Sequence, residues 1–154
     1  MCAGESIQDS IAFIVCCFSF IDKINYMNIK RFEDLEIWQE ARILCKIIFK
    51  ITSVGPFCSD FRFRDQIKAA SGSVMDNIAE GFDRGGNKEF SQFLSFSQGS
   101  IGEVRSQSYR AYDFEYIDEE KLNELLERTD SLSRKTFNLM KHLKHSDIQG
   151  FKYS

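Results

Sequence analysis

The sequence has the length of one domain and no strong overall charge. It contains 154 residues, 43% of them hydrophobic, with a formal net charge of −3 at pH 7. These values exclude an intrinsically disordered chain and a strongly basic, histone-like nucleic-acid binder. The single proline permits long uninterrupted helices, whereas an all-β domain would need many turns rich in proline and glycine.

Cysteine and histidine usage limits the chemistry. The five cysteines are odd in number and include no Cys-x-x-Cys pair, which argues against a disulfide scaffold or a zinc site and favours the reduced thiols of a cytoplasmic protein. Both histidines, His142 and His145, lie near the C-terminus, so the Glu-x-x-His pairs of a di-iron bundle are missing. We therefore predict a protein that is not an enzyme and holds neither metal nor cofactor.

An apolar run at residues 11–21 dominates the first 26 residues. Its eleven residues are too few to span a bilayer, which takes about 20. Acidic Glu5 and Asp9 precede it without any Lys or Arg, which argues against a secretory signal. We predict an N-terminal extension, residues 1–26, that is either packed elsewhere, disordered or not native. The domain then comprises residues 27–154, and no membrane partner is expected.

The first predicted helix covers about residues 32–53. Its apolar positions span roughly 200°, about twice the arc a surface helix needs to face one core, and only Glu40 interrupts them. This excess predicts a surface that contacts another chain. The candidate interface residues on this helix are Ile43, Ile47 and Phe49.

The second and third predicted helices cover about residues 60–80 and 87–115. Ser59 or Asp60 is the expected N-cap of the second helix and Asn87 that of the third. We assign Gly81 to the left-handed position that ends the second helix. The loop 81–88 lacks the phosphate-loop pattern, because Asn87 precedes Lys88 and a helix, not a strand, precedes the loop.

A row of small residues follows the outer side of the third helix at spacings of four, four, three and four. Such a row lets another backbone approach closely, although an ordinary exposed Ser/Gly face is the alternative. The row consists of Ser91, Ser95, Gly99, Gly102 and Ser106.

The fourth predicted helix covers about residues 118–144, with Asp118 as N-cap. Its acidic first half and basic second half complement the helix dipole, which alone can explain the pattern. The alternative is a basic patch that binds a phosphate backbone, together with the loop after the second helix. The candidate nucleic-acid contacts are Arg84, Lys88, Arg134, Lys135, Lys141 and Lys144. Four long helices joined by short loops favour an antiparallel up-down-up-down bundle.

Two segments of the chain together carry a recognisable motif. The longer segment extends through the second and third predicted helices and the loop between them. The first is 32–41, which includes Trp38; the second joins Asn77, Glu80 and Gly81 to Glu89, Phe90 and Glu103. Over residues 31–144 the chain thereby resembles the small four-helix-bundle family first met as reading frames in intervening sequences of bacterial 23S ribosomal RNA genes. It departs from the family pattern before Met27 and at residues 55–63.

The resemblance implies a homopentamer of antiparallel four-helix bundles, related to the accessory protein of diversity-generating retroelements. That protein works beside a reverse transcriptase and nucleic acid. We therefore expect a non-enzymatic oligomeric accessory or scaffold protein whose partners are its own copies and RNA or a nucleic-acid-processing protein. The alternative is a protein–protein assembly module that binds no nucleic acid.

Overall fold

Helices occupy most of residues 29–145, the part of the chain that the computed structural model describes. The α-helices are α1 (Glu36–Ile51), α2 (Phe61–Asp83), α3 (Asn87–Asp113) and α4 (Glu119–His145). Short 3₁₀ helices, Phe32–Asp34 and Pro56–Ser59, precede α1 and α2. No strand occurs within residues 29–145, so the predicted all-α class is confirmed. The predicted extension, residues 1–26, lies outside the described residues.

Each helix contacts two others, and the four enclose one core. Helix α1 contacts α2 and α4, and α3 contacts α2 and α4. Hydrogen bonds between the helices include Ser97 Oγ to the Val74 carbonyl at 3.1 Å and Ser133 Oγ to Gln98 Oε1 at 2.8 Å. The arrangement is a helical bundle. None of the helices within residues 29–145 is both long and apolar enough to cross a membrane.

The core consists of one apolar stripe from each helix. The predicted helical spacing places these side chains on the inner face, where burying each contributes about 1.5–3 kcal/mol relative to exposure. Core members include Leu44, Ile48, Ile67, Val74, Ile78, Leu94, Ile101, Val104, Leu125, Leu132 and Leu139. Two buried threonine hydroxyls are satisfied within their own helix, since Thr129 Oγ1 and Thr136 Oγ1 each donate to the carbonyl four residues earlier at 2.8 Å.

Two of the predicted helix starts are confirmed. The Asp60 carboxylate accepts a hydrogen bond from the Phe63 backbone N–H at 3.1 Å, and Asp118 accepts one from the Lys121 N–H at 2.8 Å. Each aspartate thus satisfies a backbone donor that the helix itself leaves free. Helix α1 begins at Glu36, later than predicted, because residues 32–34 form a 3₁₀ helix.

The predictions for the ends of the α2–α3 loop were wrong. Gly81 is not the C-cap, because α2 continues to Asp83 and Gly81 is buried inside it. The positive φ of 80° belongs to Gly85 instead. Gly86 occupies the N-cap position of α3, and Asn87 is the first helical residue. What requires glycine at position 81 is space, because a Cβ there would lie 2.5 Å from Phe93 Cβ.

Candidate functional site

Three of the six candidate nucleic-acid contacts are engaged by carboxylates. Arg84 Nη2 donates a hydrogen bond to Glu80 Oε1 at 2.7 Å, and this bond to the carboxylate raises the pKa of Arg84. Arg134 is bound to Asp130, one turn earlier on α4. These exposed pairs partly neutralise the charge that a phosphate would meet, so both arginines are weaker candidates than their sequence positions indicate.

Lys135 connects α4 to α1. Its Nζ contacts Glu36 Oε1 at 2.5 Å and also the carboxylate of Glu40, which raise the pKa of Lys135. The side chain is 35% exposed, so water screens the bridge only partly. Glu40, the one acidic interruption in the apolar arc of α1, therefore has a structural partner on another helix.

The other three candidate cations form no ion pair within residues 29–145. Lys88 and Lys144 are exposed. Lys141 Nζ lies 4.6 Å from the centroid of the Phe137 ring, whose side chain is itself exposed. These lysines keep a charge that an anionic partner could reach.

The candidate interface on α1 has an exposed part and a half-buried part. Ile43 is 43% exposed and Phe49 is 62% exposed, whereas Ile47 is half-buried. Lys68 of α2 lies over one face of the Phe49 ring, 5.0 Å from its centroid. These apolar side chains are therefore only partly covered by the protomer itself.

Most of the small-residue row on α3 faces outward. Ser95, Gly99, Gly102 and Ser106 are exposed, whereas Ser91 is buried. A Cβ built on Gly99 or Gly102 would find nothing within 4 Å. The protomer thus gives no internal reason for glycine at either position.

The motif residues that carry the resemblance make mostly local contacts, and two of them, Gly81 and Phe90, lie where α2 and α3 approach closely. Asn77 Nδ2 donates to the Ser73 carbonyl at 2.7 Å, and Ser73 Oγ is joined to Ser100 on α3 at 3.0 Å. Phe90 is buried against Gly81 at the close approach of α2 and α3. The carboxylate of Glu89 lies beside Gly86 at the start of α3.

Two further motif residues lie outside the loop region. Trp38 is half-buried and packs edge-on against Phe32, with ring centroids 5.1 Å apart. Glu103 accepts a hydrogen bond from Gln107 Nε2 at 2.9 Å.

A polar cavity between α2 and α3 was not predicted from the sequence. It has a volume of about 190 Å³ and is lined only by polar side chains: Gln66, Glu103, Ser106, Gln107 and Arg110. Gln107 is only 5% exposed. A signal was present in the sequence, because Gln107 follows Val104 and precedes Ala111 at core spacing, on a stripe otherwise made of apolar residues and serines.

The features above define an all-α helical-bundle protein with exposed apolar and basic side chains. A family model described as 23S rRNA-intervening sequence protein matches residues 33–138. The match covers more than half of the chain, so the chain belongs to this family, as its motifs predicted. A search of curated proteins finds no significant match.

Proposed function

We propose that this protein is a non-enzymatic accessory or scaffold protein that associates with RNA as an oligomer in the cytoplasm. Membership of the 23S rRNA-intervening sequence protein family carries the proposal, because the family is described by its link to a ribosomal RNA gene. A nucleic-acid-processing protein that works on the same RNA is the second partner class.

We further propose that the bundle is antiparallel and assembles as a homopentamer. Phe93, near the start of α3, lies against Gly81 near the end of α2, while Arg110 near the end of α3 binds Gln66 near the start of α2. These contacts support opposite helix directions. The five-fold stoichiometry comes from the family resemblance, and the outward row of small residues offers a face for close packing between copies.

Lys88, Lys141 and Lys144 are the proposed phosphate contacts. The support is that they are free of ion pairs within residues 29–145, whereas Arg84, Arg134 and Lys135 are bound to carboxylates. Each lysine that contacts a phosphate releases a counterion, so affinity should fall as salt concentration rises. Repetition of a small patch around a symmetric assembly would raise its avidity.

The test is a titration of the full-length protein with structured RNA at two salt concentrations, combined with native mass measurement. We expect binding at low salt, weaker binding at high salt, and a complex whose protein component is an oligomer. Failure to bind RNA at low salt would refute RNA association.

The second candidate function is a protein–protein assembly module without nucleic acid. The exposed side chains of Ile43 and Phe49 favour it, because apolar surface left outside a closed bundle commonly marks an interface. A native mass that shows an oligomer, together with no RNA binding at low salt, would support this function instead.

A further inference from the structure

The exposed side of α1 carries a row of cations. Arg42, Lys46 and Lys50 are all exposed and follow one another at spacings of four residues, so successive members lie on neighbouring turns, about 6 Å apart along the axis. None of the three forms an ion pair within residues 29–145. Residues 41–59 contain these three basic residues and no acidic ones, a local charge of +3 in a chain whose net charge is −3.

The charges on α4 are arranged in the opposite way. Glu124 is bound to Arg128, and Asp130 is bound to Arg134, in each case at a spacing of four residues. Opposite charges at this spacing stabilise a helix, whereas like charges at the same spacing destabilise it. The row on α1 therefore weakens its own helix. An anionic partner would supply the missing countercharge.

Neighbouring acids of α1 and α2 are already bound to other cations. Glu36 and Glu40 of α1 contact Lys135 on α4. Asp65 of α2 lies 2.8 Å from the Nε of Arg64. These acids are thus partly neutralised before they can screen the row.

The Arg42 end of the row is less positive than the other end. Cys45, three residues after Arg42, donates from its Sγ to the Ser71 carbonyl at 2.9 Å, which fixes this turn of α1 against α2. Asp76 of α2 acts electrostatically on Cys45. The positive charge is therefore least opposed around the later residues of the row.

An exposed aromatic ring lies at that later end. Phe49 is 62% exposed, and Lys68 Nζ of α2 lies 5.0 Å from the centroid of its ring. Phe49 is one helical turn after Lys46 and directly precedes Lys50, so both helices place a cation near the ring. An aromatic ring among unpaired cations is the combination with which proteins bind single-stranded nucleic acids.

We propose that this face of α1 binds a single-stranded segment of RNA, an inference that rests on the proposed RNA association. Lys46 and Lys50 contact phosphates of the strand, and one unpaired base stacks on the Phe49 ring. The bases of a duplex are stacked within it and cannot reach the ring, so the site selects unpaired RNA. Stacking and phosphate contacts are tolerant of sequence, so no particular base is required.

A second copy of this chain fits the same face less well. Lysine is depleted at protein–protein interfaces, and burying an unpaired charge is costly. A copy that covered Phe49 and Ile43 would also cover Lys46 and Lys50. RNA neutralises the lysines and covers the ring at the same time.

The experiment measures binding of the full-length protein to two labelled single-stranded RNAs of about a dozen nucleotides, one intact and one abasic, by fluorescence anisotropy. Lys46→Gln combined with Lys50→Gln should weaken binding of both RNAs about tenfold at low salt. The slope of log affinity against log salt concentration should become shallower by about 1.4, since each phosphate contact on a single strand contributes about 0.7. Phe49→Leu should weaken binding of the intact RNA about tenfold and leave binding of the abasic RNA unchanged.

The matched control removes the same charge from α4. Arg128→Gln combined with Arg134→Gln deletes two cations that are bound to acids, and it should leave both affinities nearly unchanged. Equal losses in the two double variants would show that net charge, and not the face of α1, determines affinity. All substituted residues are exposed, so each variant should keep its helical signal in circular dichroism.

The outcomes separate this site from RNA association in general. Unchanged RNA affinity in the Lys46→Gln, Lys50→Gln protein would refute the site and leave RNA association standing, whereas no RNA binding by the wild-type protein would refute both. Equal loss of intact and abasic RNA in Phe49→Leu would refute base stacking. A reduced native mass of Phe49→Leu without RNA would assign the face to another copy. Binding to phosphatidylserine vesicles that the lysine variant loses, with RNA affinity unchanged, would assign it to a lipid surface.

Discussion

The close approach of α2 and α3 at Gly81 is sensitive to a single methyl group. A Cβ at this position would lie 2.5 Å from Phe93 Cβ and 3.0 Å from Phe90 Cδ2. The first distance is about 0.9 Å inside the 3.4 Å at which ordinary contact begins. Phe93 Cβ is attached directly to the backbone of α3, so a rotamer change cannot remove the overlap. Gly81→Ala should force the two helices apart.

Two opposing effects determine how much Gly81→Ala changes the free energy of unfolding. Overpacking of a core typically costs about 1–3 kcal/mol. Alanine in place of glycine inside a helix stabilises the folded state by up to about 1 kcal/mol through its higher helix propensity. We therefore expect a net loss of up to about 2 kcal/mol in the free energy of unfolding.

Gly72→Ala on the same helix isolates the steric effect. A Cβ at Gly72 meets nothing within 4 Å, so only the helix-propensity gain of up to about 1 kcal/mol applies. The measurement is denaturant unfolding at equal protein concentration, because association between copies would shift apparent stability. Equal stabilisation by both substitutions would refute the reasoning that α2 and α3 touch at Gly81.

Three further predictions concern assembly, RNA binding and pH. Gly102→Glu should reduce the native mass of the assembly while helicity is kept. The new side chain has open space in the protomer, but its charge would disrupt a tightly packed interface between copies. Lys88→Gln should lower RNA affinity and its salt dependence, whereas Lys135→Gln should lower stability by up to about 1 kcal/mol through loss of the bridge to α1. Glu124→Gln should lower the free energy of unfolding by up to about 1 kcal/mol at neutral pH and leave it unchanged in acid. Glu127→Gln, on the same helix, should leave the free energy of unfolding unchanged at both pH values.

The pH dependence follows from the ion pairs of Glu124. Its hydrogen bonds from Lys121 and Arg128 hold the pKa of Glu124 below its usual value. A lowered pKa in the folded state stabilises the protein above the unfolded-state pKa, and that contribution is lost as the pH falls through the folded-state pKa. Equal effects of Glu124→Gln at neutral and acid pH would contradict this explanation.

Specific results would contradict the predictions on assembly and on RNA binding. An unchanged mass for Gly102→Glu would place the interface elsewhere. Asn138→Glu, an exposed position on α4, is the control for added charge. If Lys135→Gln reduced RNA affinity as strongly as Lys88→Gln, Lys135 would contact RNA in spite of its ion pairs to α1.

Local patterns in the sequence predicted the four helices, the core stripes and the caps at Asp60 and Asp118. Each depends on residues within a few positions of one another, so spacing and residue type suffice. The motif around Asn77–Gly81 also predicted the family. It did not predict where α2 ends, because the reason for glycine at position 81 is the Phe93 side chain on the next helix.

Only the tertiary structure decided which charged and polar side chains have partners. Lys135 meets Glu36, a residue 99 positions earlier, and this separates it from the lysines that remain available to an anion. Gln66 and Arg110 meet 44 positions apart and line the cavity with Gln107. Helical periodicity assigns a residue to a face of its own helix, but which side chain of another helix it meets depends on how the helices pack.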